Sequence, residues 1–397
     1  MEEVIVRILL IIVTTFSFVA IIMPFIKKLA VQIGAVDIPR TRHIHTKIMP
    51  KMGGIGIFLG FLLGYMLFSE TSVQMNSILI GGFLIILIGL IDDMTELKPS
   101  VKFIGQLASA CVIVFYGQFL LENVSAFGIN LHFGILAYPI TIFFILGCIN
   151  CINLIDGLDG LSGGISSIYF LTVGIIATLQ GHFGLDFVLS FVMLGSTLGF
   201  LVHNFHPASI FAGDSGSMFM GFIISVIALL GFKNVTMTSL IIPLLILAIP
   251  ILDTLFAIIR RLLKGESPSK ADKFHIHHQL LNRNFSQTST VLIIYFIDLL
   301  FAFASILYVL KDRTIGYIVY AILTIIVVLF IIKTNVVIDK DNNIIIDKIK
   351  KIKHEHDEKN VDSVENKKDS NKKKHHKKWC FFDCHRQFFK LKKGSYR

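Results

Sequence analysis

Residues 133–160 read FGILAYPITIFFILGCINCINLIDGLDG. The stretch 133–149 carries no charge and is almost wholly apolar. The stretch 150–160 then packs two Asn, two Asp and two Asp-Gly dipeptides together. A bilayer span needs about 20 mostly apolar residues, within a range of about 17–25. The segment therefore reads as a membrane helix that stops in a polar loop.

The same pattern recurs along the chain. Eleven apolar stretches are expected to span, at roughly 4–26, 52–69, 76–91, 103–121, 133–149, 161–180, 186–202, 216–232, 238–259, 289–310 and 315–332. Lipid cannot satisfy an unpaired backbone group, so helices are the expected form. Strands of a lipid-facing barrel would alternate apolar and polar residues, and these stretches do not. The fold class expected is an all-α integral membrane protein. The first stretch is too long for a cleaved signal peptide and is not followed by a small-residue cleavage site before Lys27 and Lys28.

Composition agrees. Of 397 residues, 54% are hydrophobic and only 16% charged, against roughly 25% charged in soluble domains. The mean hydropathy is +0.73. Five Cys over this length form no disulfide framework. The net charge of +10 looks at first like a nucleic-acid signal, but it is unevenly placed. Residues 1–332 hold 18 Lys+Arg against 17 Asp+Glu, and residues 333–397 hold 19 against 10. A nearly neutral membrane domain, 1–332, is thus followed by a basic tail, 333–397. No nucleic-acid partner is expected.

Alternate connections differ sharply in charge. Those at 27–51, 92–102, 150–160, 203–215 and 260–288 hold 14 Lys+Arg, and the opposite connections hold three. The positive-inside rule makes the first set cytoplasmic, with the N-terminus outside and the tail inside. Seven of the nine His and nine of the 17 acids in residues 1–332 also lie in the first set. A transporter more often places ionisable groups near the bilayer midplane. Polar clusters at helix ends fit an enzyme working at the membrane surface.

Four clusters carry the chemistry. Asp92-Asp93 ends the third stretch, with Lys98 and Lys102 following. Adjacent carboxylates repel, so they need solvent, a shared proton or a cation; Lys102 can reach a phosphate. A hydrophilic stop after an apolar helix is the plainer account. Asn150 to Gly160, with Asn153, Asp156, Gly157 and Asp159, supplies hard oxygen ligands on a glycine-containing loop. Mg²⁺ takes one or two carboxylates plus substrate phosphates. A simple turn needs one Asp-Gly, and this loop has two.

His203-Asn-Phe-His206-Pro207 and Gly213-Asp214-Ser215-Gly216 form the third cluster. Asp214 sits where a helix cap would, and a helix N-terminus also presents N–H groups to phosphate. The fourth runs from Arg260-Arg261 through Gly265-Glu266-Ser267-Pro268 to Asp272, His275, His277 and His278. It has neither a nearby Cys nor an H-E-x-x-H pattern. It reads as a donor set for an anionic, sugar-bearing ligand, with at least one Arg serving as an inside-positive anchor. Clustered carboxylates, Asn, Lys and His around a divalent cation suit phosphoryl transfer. The membrane setting implies a lipid substrate.

Gly53-Gly54, Asp92-Asp93, Asn153 to Gly160, Gly213 to Gly216 and Asp272 to His278 occur in this order across residues 35–280. In this the chain resembles the polyprenyl-phosphate N-acetylhexosamine-1-phosphate transferases, glycosyltransferase family 4. Arg-Arg-Leu-Leu-Lys-Gly-Glu-Ser-Pro with His275-Ile-His277-His278 most resembles the bacterial branch using UDP-GlcNAc and undecaprenyl phosphate, for teichoic acid linkage units or O-antigen. The branch using UDP-MurNAc-pentapeptide shows three consecutive His, where this chain has Ile276 between.

The resemblance implies Mg²⁺, with Mn²⁺ as a substitute, on Asn153 and Asp214. It places Asp159 and Gly157 near uracil, Lys102 on the diphosphate, and Asp92 or Asp93 near the lipid phosphate. His275, His277 and His278, with Arg261, would hold phosphates or the acetamido sugar. Asp156 belongs to the motif without a defined role. A homodimer is compatible with this reading. The alternatives are the muropeptide-specific relative and, from another class, a transporter or lipid flippase.

Four remaining features lie off this site. Cys148 and Cys151 read as packing residues. Asp298, within the tenth stretch, is expected to be paired or to face a cavity. In the tail, Val336–Asp347 has the pattern of a short hairpin. Lys372–Lys378 with Trp379, Phe381 and Phe382 suits an anionic lipid surface.

Overall fold

The computed structural model describes residues 2–37, 48–126, 129–233, 247–263, 275–310 and 313–333, all within one unit, residues 1–337. Twelve α-helices are present among the described residues. They are α1 (Glu2–Ile33), α2 (Gly53–Phe68), α3 (Val73–Thr95), α4 (Pro99–Cys111), α5 (Ala137–Ile155) and α6 (Leu161–Leu179). They continue with α7 (Leu185–Asn204), α8 (Gly213–Lys233), α9 (Ala248–Leu263), α10 (Ile276–Asn282), α11 (Gln287–Leu310) and α12 (Arg313–Lys333). A π-helical turn, Val112–Tyr116, prolongs α4. Two small antiparallel ribbons pair β1 (Val36–Asp37) with β2 (Met49–Pro50), and β3 (Asn123–Ala126) with β4 (Ile129–His132).

Each of the eleven apolar stretches carries a helix, and α10 is a short addition between them. Eight described helices are long and apolar enough to cross a membrane. Helices α2, α9 and α12 have shorter apolar stretches. The proposed tail hairpin and the basic-aromatic run lie outside the described residues, as do Gly265 to Lys273.

The exposed surface is apolar where a soluble protein's would be polar. Ile5, Val6, Leu9, Leu10, Val13, Ile21 and Phe25 of α1 all stand exposed, which is the expected boundary with lipid tails. The chain is an all-α integral membrane protein crossing the membrane several times. Helix α8 is its centre: 89% of its apolar window is buried, against 17% for α1. It packs against α3 and α5, and α7 packs against α1, α6 and α2.

Lipid gives helices no hydrophobic reason to associate, so close approach by small residues matters. Helix α7 supplies it with Gly195 and Gly199, one turn apart on the face toward α1. A side chain at Gly195 would overlap Thr15 and lie 2.7 Å from the Ile12 carbonyl; one at Gly199 would lie 2.6 Å from the Phe16 carbonyl. Cys148 and Cys151 are buried thiols in the α5 packing surface. Asp298 in α11 is fully buried, and neither of its oxygens has a hydrogen-bond partner among the described residues. Of the two expectations for it, pairing is not met among the described residues.

Candidate active site

The site is built on the first turn of α8. Gly213 starts it in the left-handed region, φ +72°, and a side chain there would overlap the Asp93 carboxylate. Side chains at Gly54 and Gly89 would overlap the backbone of Gly216 and Ser215. Helices α2 and α3 can therefore press directly on this turn. Gly89 and Asp93 are four residues apart, on one face of α3. Seating Gly89 on Ser215 brings the Asp93 carboxylate to the end of α8.

Asp93 then caps α8 from another helix. Its Oδ1 accepts from the Asp214 N–H at 2.8 Å, and its Oδ2 accepts from the Ser215 N–H at 3.2 Å and the Ser215 hydroxyl at 2.7 Å. An anion at a helix N-terminus satisfies orphan donors and complements the dipole. With Asp93 as the cap, the Asp214 side chain is left for other partners.

The neighbouring Asp92 faces differently. Its Oδ1 accepts from the Leu97 N–H at 2.7 Å, and its Oδ2 meets Lys102 Nζ at 2.6 Å. Lys102 also reaches Asp214 Oδ2 at 3.2 Å. One ammonium thus bridges two carboxylates from α3 and α8. Asn153, on the last turn of α5, donates its amide to Asp214 Oδ1 at 2.6 Å and to Ser217 Oγ at 2.9 Å. Asn150, one turn earlier, goes instead to Gln106 at 3.0 Å.

Asp156, just beyond α5, accepts from the Ser162 hydroxyl at 2.6 Å. Burial pushes its carboxyl up to about 7, opposed by the Ser162 bond and reinforced by Asp214 and Asp159. Asp159 is held through one oxygen, by His206 Nδ1 at 2.7 Å and the Ala208 N–H at 3.1 Å. These groups face a cavity of about 640 Å³. Its walls include Asp93, Asn153, Asp156, Gly157, Asp159 and Asp214, with His278 from α10 and Lys51 from the β2 end. Lys51 lies 3.6 Å from Asp37.

The three His of the fourth cluster separate. His278 lines the cavity. His277 is buried against Gly157, where a side chain would lie 2.6 Å from its Nε2. Burial, and then the neighbouring His278 and His275, hold its imidazole well below the ordinary range, so it is neutral. His275 is not in the cavity wall. Its Nδ1 pairs with Asp253 Oδ2 at 2.7 Å, while Asp253 Oδ1 accepts from the Ile276 N–H at 2.9 Å. Arg261 is buried on α9 and is also absent from the wall. Asp272 lies outside the described residues.

The structure thus joins Asp92, Asp93, Lys102, Asn153, Asp156, Gly157, Asp159, Asp214 and His278 around one cluster and cavity. His277 backs it, and His275 and Arg261 stand behind. The sequence reading passed over Lys51, Ser162, His206, Ser217 and Asp253 as site residues. The pair Asp253 and His275 is 22 residues apart, and no local spacing marks it. His206 stood inside a quoted cluster, but only the fold shows that it meets Asp159.

No group of three or more His, Cys, Asp or Glu suited to a metal is present among the described residues. Mg²⁺ does not require one, since it draws ligands from substrate phosphates and water. Asp92 and Asp214 are two carboxylates sharing one cation, Lys102, and Asn153 adds a hard oxygen. The Asp214 carboxylate and the Asn153 amide oxygen are hard donors of the kind Mg²⁺ takes.

Residues 75–232 match the model of glycosyl transferase family 4. A probable undecaprenyl-phosphate N-acetylglucosaminyl 1-phosphate transferase of Bacillus subtilis is 44% identical over 337 residues, covering 84% of this chain and 93% of that protein. A decaprenyl-phosphate N-acetylglucosaminephosphotransferase of Mycolicibacterium smegmatis is 33% identical over 302 residues, 68% of this chain and 74% of that one. An undecaprenyl-phosphate alpha-N-acetylglucosaminyl 1-phosphate transferase of Escherichia coli is 28% identical over 289 residues, 71% and 78% respectively. The matched segment contains α4, α5, the start of α8 and most of α3, which carry the carboxylate, lysine and asparagine cluster. By that likeness over nearly the whole of a relative's length, the chain belongs to glycosyl transferase family 4.

Proposed function

We propose that this enzyme transfers N-acetylglucosamine-1-phosphate from UDP-GlcNAc to undecaprenyl phosphate and releases UMP. The observation that carries the reading is the cluster at the α8 N-terminus, where Asp92, Lys102, Asn153 and Asp214 meet beside a cavity of nucleotide-sugar size. The named activity of the Bacillus subtilis relative supports the choice of donor and acceptor.

A lipid phosphate, with its second pKa near 6, is mostly ionised at pH 7. It therefore needs positioning more than a strong base. Its oxygen attacks the sugar-bearing phosphorus of UDP-GlcNAc, and the bond from that phosphorus to the bridging oxygen breaks. The bridging oxygen and its electron pair leave with UMP. Asp214 and Asn153 would hold Mg²⁺, or Mn²⁺ in its place. When bound, the ion neutralises diphosphate charge.

Lys102 binds the diphosphate and Asp92 orients the lipid phosphate. Asp93 holds the α8 N-terminus, which keeps Asp214 in place. Gly157 and Asp159 lie beside the uracil, with Asp159 oriented by His206. His278 contacts the phosphates or the acetamido sugar, and neutral His277 supports Gly157. The 14-to-3 charge asymmetry supports a site on the cytoplasmic side of the bacterial inner membrane, with the N-terminus outside and the C-terminus inside.

The test uses purified protein, undecaprenyl phosphate and Mg²⁺, with UDP-GlcNAc or UDP-MurNAc-pentapeptide, scored for UMP. UMP from UDP-GlcNAc is expected. UMP from the muropeptide alone would move the enzyme to the other branch. None from either, in folded protein, would favour a transporter.

A further inference from the structure

Behind the cavity, α11 reaches into the site from outside the segment that carries the motifs. Gly160 ends the Asp156–Gly160 loop in the left-handed region, φ +81°. The residue is held through both of its peptides. Its N–H donates to Asn204 Oδ1 at 3.0 Å, and Asn204 in turn donates to the Ile210 carbonyl at 2.9 Å. Its carbonyl accepts from the Gly164 N–H at 2.9 Å, the first bond of α6, and also from the Tyr295 hydroxyl of α11.

Room for that tyrosine comes from a missing side chain. A Cβ at Gly164 would overlap the Tyr295 hydroxyl and ring. Eight residues before Tyr295, Gln287 at the start of α11 lies in the cavity wall. Helix α11 therefore touches the site twice.

We infer that Tyr295 is a positioning residue for the nucleotide-sugar site: its hydroxyl fixes the Gly160 peptide and so sets Gly157 and Asp159 against the cavity. The held carbonyl lies in the peptide to Leu161, so its release reaches Asp159 through the Gly160 backbone torsions, one residue away. The Asp92–Lys102 pair, on α3 and α4, makes no contact with this clamp in any of the bonds above. Loss of the hydroxyl should thus affect the donor and spare the lipid phosphate. This placement rests on the proposed reaction for its kinetic consequence, whereas the clamp itself does not.

The experiment compares wild type with Tyr295→Phe, which keeps the ring and removes the hydroxyl. Amide hydrogen exchange of the peptide spanning 157–164 reads the clamp without catalysis. Steady-state kinetics then read its effect. Expected are faster exchange in that peptide alone, a KM for UDP-GlcNAc raised about three- to tenfold for one lost hydrogen bond, and an unchanged KM for undecaprenyl phosphate. Gly164→Ala, which crowds the ring, should change the same KM, and the double variant should be no worse than the poorer single one.

Unchanged exchange with unchanged KM values overturns the inference. So does faster exchange with an unchanged donor KM, since the clamp then serves folding alone. Equal rises in both KM values, together with a lower Tm, also overturn it. If wild type releases no UMP from either donor, the reaction reading fails, and the exchange comparison still decides whether Tyr295 holds the loop.

Discussion

Asp93→Asn separates holding a helix from doing chemistry. In the native site Asp93 Oδ1 takes the Asp214 N–H and Oδ2 takes both the N–H and hydroxyl of Ser215. Asparagine can keep its oxygen on Asp214. It then turns an NH₂ toward the Ser215 N–H, donor against donor. Ser215 is fully buried, so that N–H is left without solvent. A buried unsatisfied donor costs about 1–3 kcal/mol. Removing the negative charge from the helix end costs about 0.3–1 kcal/mol more, and up to about 2 in a buried setting. The sum is about 1–5 kcal/mol. At roughly 2 °C per kcal/mol for a chain of this size, Tm should fall by about 2–10 °C. Turnover should fall as well, because Asp214 rides on the same turn. The assay is thermal unfolding in detergent beside UMP release, with Ser215→Ala as a control that removes only the hydroxyl bond. A Tm within 1 °C of wild type would refute the capping argument and return Asp93 to a purely catalytic role.

Three further outcomes follow from the same site. Asp214→Asn keeps the shape and removes a charge. It should cut turnover steeply and flatten the Mg²⁺ titration, whereas near-normal activity would take Asp214 out of the metal set. In EDTA, stability should respond to Asp156, whose proton is held to about pH 7 in the folded protein. A raised carboxyl stabilises the fold at low pH, and that contribution is lost as pH rises through 7. Wild-type Tm should therefore drop between about pH 4 and 7 more than that of Asp156→Asn, and parallel slopes would contradict the assignment. Finally, a chain ending near residue 335 should keep its chemistry, because every site residue precedes it. Loss of UMP release despite normal membrane insertion would give the basic tail a role in catalysis.

What was legible in the sequence depended on range. Apolar runs too long for a soluble protein predict helices in lipid without any neighbour being known, and α1, α3 and α5 lie where such runs do. Loop polarity likewise marks a chemical face, because charges gather where helices leave the bilayer. The motifs Asp92-Asp93 and Asn153 to Gly160 were visible since their members are close in the chain. The division of labour within each motif was not. Asp92 and Asp93 are identical in type and adjacent in sequence, yet one meets Lys102 and the other caps α8. His275, His277 and His278 lie within four positions, yet they turn to Asp253, to Gly157 and to the cavity.

The sequence by itself determined the solvent, the element type and the list of reactive side chains. Each follows from local composition and period, which need no partner. Tertiary structure alone decided which carboxylate faces which cation, because side-chain direction depends on helix packing. That packing is set by gaps at Gly54, Gly89 and Gly164, and a missing Cβ gains meaning only when another helix fills it. Tyr295 shows the limit most plainly. A tyrosine in an apolar helix reads as lipid-facing filler until its hydroxyl is found on the carbonyl of Gly160, 135 residues away.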